Sequence, residues 1–246
     1  MWPDLIMLQE VDVDSTRTYH IDESAMLARS QRVHALNYSC GFVPYPLPPI
    51  GSVHSGLFTT TDYKIDSAER ISLPSPFKWP VSTANLKRCL LVSYLPIDGS
   101  DKQLVLVNLH LEAYDDGEGK IAQTNQLRDF ITSEYEKGNY VIAGGDFNQV
   151  FPGSLDIYPI IDPELWAPGV LDENLLPDGW TLAYDLDSPS CRLLNQPYDK
   201  DDENTQHYVI DGFILSPNVE LTNVQTLGLD FGSSDHNPVF INVKLK

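Results

Sequence analysis

Basic residues are scarce in this sequence. Sixteen Lys and Arg stand against 35 Asp and Glu, a formal net charge of −19. A surface of that sign repels polyanions at long range, and no Lys/Arg cluster of the kind that tracks a phosphate backbone occurs. Nor is there a stacked aromatic ladder for single strands, so tight nucleic-acid binding is not expected. Cysteine is rare as well. Cys40, Cys89 and Cys191 are far apart and odd in number, which points away from a disulfide framework and from any zinc spacing. Cys89 sits in the apolar run RCLLVSYL and reads as a buried free thiol. Long hydrophobic runs are missing: no stretch approaches the roughly 18 to 20 continuous apolar residues of a membrane-spanning helix. No repeat, no long low-complexity segment and no composition break marking a domain boundary is visible.

What is present is ordinary globular composition, 246 residues of which 42% are hydrophobic and 21% charged. It is read here as a single domain over 1–246. Short apolar runs bounded by Gly, Pro, Asn and Asp dominate, and they predict strands over 4–9, 55–60, 88–95, 103–112, 139–147, 207–216 and 239–245. Several are apolar on both faces, as centrally buried strands are. Two helices are expected. One covers 24–37, after the N-cap candidates Asp22 and Ser24. The other covers 119–139, with Ile121, Leu127, Phe130, Ile131 and Tyr135 on one stripe and Gly138 as the C-cap glycine. The stretch 151–206 is rich in Pro, Asp and Leu with weak periodicity, and reads as a long, partly helical excursion. The acids of 115–118 and 199–203 read as solvated surface. The expected fold class is α/β: a four-layer sandwich of two mixed β-sheets flanked by helices.

Five places put polar, ionisable groups at the end of an apolar strand. They are Glu10 after LIML, His110 in LVNLHL, Asp146 and Asn148 in VIAGGDFN, Asp211 in YVIDGFIL, and Asp235-His236 in SSDHNPV. Buried carboxylates and imidazoles are costly unless paired or bound to metal. A lone strand-end Asp is more often a loop cap than a catalyst, but five such places in one domain are hard to explain by capping. Strand alternation puts Asp146 on one face with Ile142 and Gly144, and Asn108 on one face with His110. Carboxylates with few nitrogen ligands suit a hard, oxygen-seeking ion, Mg²⁺ or Mn²⁺, not zinc. Such an ion with acid–base groups is a kit for hydrolysing a phosphate ester.

The blocks LQE, NLHL, GGDFN, IDGFILS and SDHNPV, in this order over residues 8 to 241, resemble the signature blocks of the endonuclease/exonuclease/phosphatase (DNase I-like) superfamily. The resemblance implies Glu10 and Asp235 as metal ligands. It implies His236 as the histidine that activates the attacking water or holds the phosphate, with Asp211 as its orienting carboxylate. Asp146 and Asn148 correspond to the pair that positions nucleophile and transition state, and His110 to a second histidine that serves the leaving group or the phosphate. The family carries a carboxylate near His54 that supports this second histidine; here none stands there. His20 and His34 are expected at the surface, and His207 at the edge of the Asp211 strand. Arg192 and Arg88 are candidates to face a phosphate.

The expected activity is hydrolysis of a phosphodiester or phosphomonoester that is small or lipid-borne. The alternatives are a non-specific nuclease and an inactive member that only binds a phosphate or a partner. The last gains weight because the family's N-terminal strand and helix, with the metal-site asparagine, have no counterpart before Asp4. The chain is therefore expected to be N-terminally shortened, and localisation is not readable from it. The aromatic, proline-rich segments GFVPYPLPPIGSVHSG and SPFKWPVS offer a rim for peripheral lipid contact, against the plainer reading of loop packing.

Overall fold

The computed structural model describes residues 3–79, 85–114, 117–202 and 204–246. Asp115, Asp116, Glu203 and the end of the SPFKWPVS segment lie outside them. The chain divides into two compact units, Met1–Gly145 and Asp146–Lys246.

In the first unit, β1 (Leu5–Asp12) leads through a short 3-10 turn into α1 (Glu23–Leu27), then β2 (Gln31–Val43) and β3 (Gly51–Thr61). These strands pair antiparallel in the order β1-β3-β2. Then follow β4 (Ser67–Ser72), β5 (Cys89–Pro96), β6 (Gln103–His110), α2 (Glu118–Glu136) and β7 (Tyr140–Asp146), whose last residue opens the second unit. Within the unit these strands neighbour one another in the order β7-β6-β5-β4. Ala35 and Leu57 of the first sheet pack with Cys89 and Leu91 of the second, and Val33 covers them. The amide of fully buried Asn108 ties the sheets together. It donates to the carbonyls of Leu8 (3.1 Å) and Phe58 (3.0 Å) and accepts from Gln9 Nε2 (2.8 Å). A buried amide satisfied at both ends fixes the register of β6 against β1 and β3.

The helix expected over 24–37 is only a single turn. Asp22 caps it, its carboxylate accepting from Ala25 N at 3.0 Å, but it stops at Leu27, and a 13-residue strand starts at Gln31. The burial pattern shows why. Ala35 and Asn37 are buried while Leu36 between them is exposed, the alternation of a strand. Pairing along most of β3 overrides a modest helical propensity. The second helix forms, ending before Gly138, which takes the left-handed φ of 88° expected of it. Its buried face differs from the expected stripe, since Ile121 is exposed while Lys120, Gln123 and Thr124 are buried. Their polar atoms are bonded: Gln123 Oε1 accepts from Glu112 N (2.9 Å), Gln123 Nε2 donates to Pro74 O (2.8 Å), and Lys120 Nζ donates to Ala113 O (2.8 Å). Burial therefore carries no unpaired-group penalty for them.

The second unit holds β8 (Gln149–Val150), α3 (Ser154–Ile157), β9 (Gly169–Val170), β10 (Thr181–Ala183), β11 (Cys191–Arg192), β12 (His207–Tyr208), β13 (Asp211–Leu215), β14 (Val219–Thr226) and β15 (Val239–Leu245). β8 and β9 pair parallel; β10–β13, β11–β12 and β14–β15 pair antiparallel. The 151–206 excursion is barely helical, because prolines recur through it and α3 ends after four residues. It is nevertheless pinned. Tyr158 donates to Leu186 O, Tyr184 to Pro152 O and Tyr208 to Trp166 O, at 3.1, 3.0 and 2.7 Å. The single strand expected over 207–216 breaks between Tyr208 and Asp211. There the carbonyls of Val209 and Ile210 accept from Phe151 N (3.1 Å) and Phe147 N (2.9 Å).

Candidate functional site

In the first unit Glu10 lies inside β1, not at its end. The strand runs on to Asp12, and Glu10 occupies a bulge between Leu8 and Val11 with φ of 56°. A left-handed non-glycine residue is strained by roughly 1 kcal/mol or more, and bulges re-aim a side chain. The result is an exposed carboxylate on a strand whose preceding residues are half-buried and whose next two, Val11 and Asp12, are buried. The bulge is anchored just beyond it. Asp12, 1% exposed, accepts from Arg17 Nε at 2.7 Å and Nη2 at 2.8 Å, and its backbone N–H donates to Glu23 Oε2 at 2.8 Å. Burial pushes the Asp12 carboxyl up, but the bonds from Arg17 and Ser55 outweigh it and hold the group below the usual carboxylate value. Sequence reasoning passed over Asp12; its position two residues from Glu10 was the available signal.

His110 is the last residue of β6 and is buried. Gly145, one of the two glycines before Asp146, meets a hard constraint. Its φ is 143°, and a Cβ there would stand 2.1 Å from Leu109 O and 3.0 Å from Gln9 Nε2. Only glycine lets this part of β7 lie against β6 beside His110. His20 is exposed and faces Asp14 at 2.8 Å. His34 is half-buried, not at the surface as expected, because its ring packs near Phe58 and bonds the carbonyl of Val11; burial lowers its pKa. His54 bonds the Ser39 hydroxyl at 2.9 Å. Arg88 is buried, 3.9 Å from Glu112.

The second unit begins with the Asp146–Asn148 pair. The two meet through a tight turn and not through strand alternation: Asp146 Oδ1 accepts from Asn148 N at 2.8 Å, and Asn148 Nδ2 donates to Asp146 Oδ2 at 3.2 Å. Asn148 has φ of 50°, the second left-handed residue among the candidates. Both side chains are buried.

Asp211 opens β13, and Asp235-His236 precede β15, with His236 in an isolated bridge to Cys191. His236 Nδ1 lies 2.8 Å from Asp211 Oδ2. Burial opposes a charged imidazole here, but the charge and hydrogen bond of Asp211 outweigh it and raise His236 well above the ordinary histidine value. The same carboxylate oxygen accepts from the Ser190 hydroxyl at 2.8 Å. Cys191 beside them is pushed up to about 12 by burial, so it stays a neutral thiol. Asp235 is half-buried, and its carbonyl accepts from Arg192 N at 3.0 Å. Arg192 itself donates to the carbonyls of Leu193 and Gln196 and lies 5.1 Å from the Tyr198 ring centre, which makes it a staple of its own loop. His207 pairs with Arg192 across β11–β12, and its ring stacks on Phe231. Thus the structure brings Asp146 to Asn148 and Asp211 to His236 within the second unit; Glu10 and His110 belong to the first.

Among the described residues, no three His, Cys, Asp or Glu side chains converge as metal ligands. A closed zinc-type cage is therefore not built from them. Mg²⁺ asks less of a protein, taking one or two carboxylates and completing its octahedron with water and substrate oxygens. The exposed carboxylate of Glu10, in the first unit, and the half-buried one of Asp235, in the second, are each a group of the type that such ligation uses.

No family model matches the sequence, and no curated protein matches it. Solved structures do. The endonuclease/exonuclease/phosphatase from Beutenbergia cavernae DSM 12333 superposes with a TM-score of 0.66 at 16% identity, over 99% of this chain and 63% of that one. This chain thus spans less than two thirds of that protein's length. The human Nocturnin catalytic domain with bound sulfate anion gives 0.60 at 18% identity, over 99% and 81%. ANGEL2, a 2′,3′-cyclic phosphatase, gives 0.58 at 15% identity, over 98% and 81%. At such identities the likeness is one of fold. The chain has the α/β, DNase I-like fold of the endonuclease/exonuclease/phosphatase structures, with mixed sheets and few helices.

Proposed function

We propose that this chain, with its DNase I-like fold, hydrolyses phosphoester bonds with the help of Mg²⁺ or Mn²⁺. The observation that carries this reading is the 2.8 Å Asp211–His236 pair, in the same unit as the buried Asp146–Asn148 pair. Nocturnin and ANGEL2, which share the fold, support it at the level of class: the first was solved with a sulfate anion and the second is named as a cyclic phosphatase.

The residues divide the work as follows. Asp211 accepts from Nδ1 of His236 and stabilises the imidazolium, so the other ring nitrogen faces the chemistry. Two groups are able to take the proton of the attacking water, Asp146 and, once its raised pKa has been passed and the ring is neutral, His236. The Asn148 amide, held against Asp146, donates to a phosphoryl oxygen as charge builds there. His110 donates to the leaving-group oxygen. Glu10, in the first unit, and Asp235, in the second, are each proposed as a ligand for a divalent ion, which when bound draws charge off the phosphoryl oxygens.

A small or lipid-borne substrate fits better than a nucleic acid, given the net charge of −19. Residues 41–53 carry no charged side chain, and within them Phe42, Tyr45 and Leu47 are 62%, 76% and 83% exposed. Such a patch supports peripheral lipid contact. The test uses purified protein, Mg²⁺ or Mn²⁺, and a panel of bis-p-nitrophenyl phosphate, sphingomyelin, inositol phosphates and plasmid DNA. Turnover that His236→Ala abolishes is expected on the small or lipid substrates. Turnover on plasmid alone would replace this reading by a nuclease, and none on any substrate would leave the inactive, ligand-binding alternative.

A further inference from the structure

Ser190 lies in the 151–206 excursion, far in sequence from every motif block, yet it is fully buried against the Asp211–His236 pair. Its backbone is held on both sides: its N–H donates to Tyr208 O at 3.0 Å, and its carbonyl accepts from Asn237 N at 2.7 Å. The hydroxyl oxygen accepts two backbone N–H groups, from Ile210 (3.1 Å) and Asp211 (3.0 Å). A serine hydroxyl has two acceptor sites and one proton. With both acceptor sites taken, the proton has one place to go, and Asp211 Oδ2 stands 2.8 Å away. That is the oxygen which His236 Nδ1 faces at 2.8 Å.

We infer that Ser190 is a positioning residue: its hydroxyl locks the Asp211 carboxylate so that it accepts from Nδ1–H of His236, leaving Nε2 as the nitrogen that serves the substrate. The inference deepens the phosphoester-hydrolase reading and rests on it for the word substrate. The bond pattern itself does not depend on it. A purely structural serine, present only to satisfy the Ile210 and Asp211 amides at the break between β12 and β13, would leave the histidine indifferent to its removal. A positioning serine would not.

The experiment compares wild type, Ser190→Ala and Ser190→Thr in the full chain, with ¹⁵N-labelled histidine. Long-range ¹⁵N–¹H spectra report which nitrogen of His236 keeps its proton when the ring is neutral. Wild type and Ser190→Thr are expected to keep it on Nδ1, and Ser190→Ala to show a mixture of tautomers. On whichever substrate the panel identifies, kcat of Ser190→Ala is expected to fall roughly 10- to 100-fold, the scale of a lost hydrogen bond to a charged group, with KM little changed and Ser190→Thr restoring it. A folded Ser190→Ala with the wild-type tautomer and kcat overturns the inference. If Ser190→Ala does not fold, wild type still decides: an Nε2–H tautomer there overturns it. If wild type turns over nothing, the functional reading fails while the tautomer still settles the role of Ser190.

Discussion

At the residue scale, two candidate site residues sit where L-amino acids are strained: Glu10 at φ 56° and Asn148 at φ 50°. Strain of this kind persists when a function needs the geometry. Glu10→Gly is expected to raise the thermal midpoint, by an amount corresponding to about 0.5–1 kcal/mol, while lowering Mn²⁺ affinity. A calorimetric melt and a Mn²⁺ titration check the two halves; a glycine that leaves Mn²⁺ binding intact removes Glu10 from the metal site. The neighbouring Asp12–Arg17 pair yields a pH prediction. The Asp12 pKa is lowered on folding from its unfolded value of 3.8, so its contribution is fully present above that value and is lost as pH falls through the lower folded one. Arg17→Ala is expected to destabilise by about 2–3 kcal/mol between roughly pH 5 and 8, because it strands a buried carboxylate. The gap to wild type should close below pH 3.8. Urea unfolding at several pH values reads this directly, and a gap that widens in acid would contradict it.

At the element scale, the β6–β7 approach depends on Gly145, since a Cβ would collide with Leu109 O at 2.1 Å. Gly145→Ala is expected to cost about 3 kcal/mol or to prevent folding, measured by thermal melt. The charge-free stretch 41–53, between the main parts of β2 and β3, offers a second test. Phe42→Ser with Leu47→Ser is expected to reduce cosedimentation with phosphatidylcholine vesicles while leaving hydrolysis of soluble bis-p-nitrophenyl phosphate unchanged. Equal vesicle binding by the variant would end the lipid-contact proposal. The same scale shows where sequence patterns were enough. Strands such as RCLLVSYL and QLVLVNLH were legible because their apolar runs are short, bounded and buried on both faces. β2 was not, because QRVHALNYSC carries moderate helical propensity and its alternation becomes meaningful only once β3 pairs with it. β4 and β14 were missed for a related reason: SAERIS and VELTNVQT are largely exposed, so little apolar pattern marks them.

At the scale of the whole molecule, the net charge of −19 acts on every ligand before any site does. Duplex DNA is expected not to be retained in a gel-shift assay at about 0.1 M salt; a stable shift would point to a local basic patch that neither charge nor sequence revealed. The sequence by itself determined the fold class, the scarcity of basic surface, and which residue types stand in which order, because composition, periodicity and ordered blocks are properties of a chain before it folds. Only the tertiary structure decided how those residues are held. It placed Glu10 on a bulge, joined Asn148 to Asp146 through a turn, and brought Ser190 from an unremarkable loop onto Asp211. Hydrogen bonds between residues far apart in sequence depend on directions set by folding, and no local pattern encodes those directions.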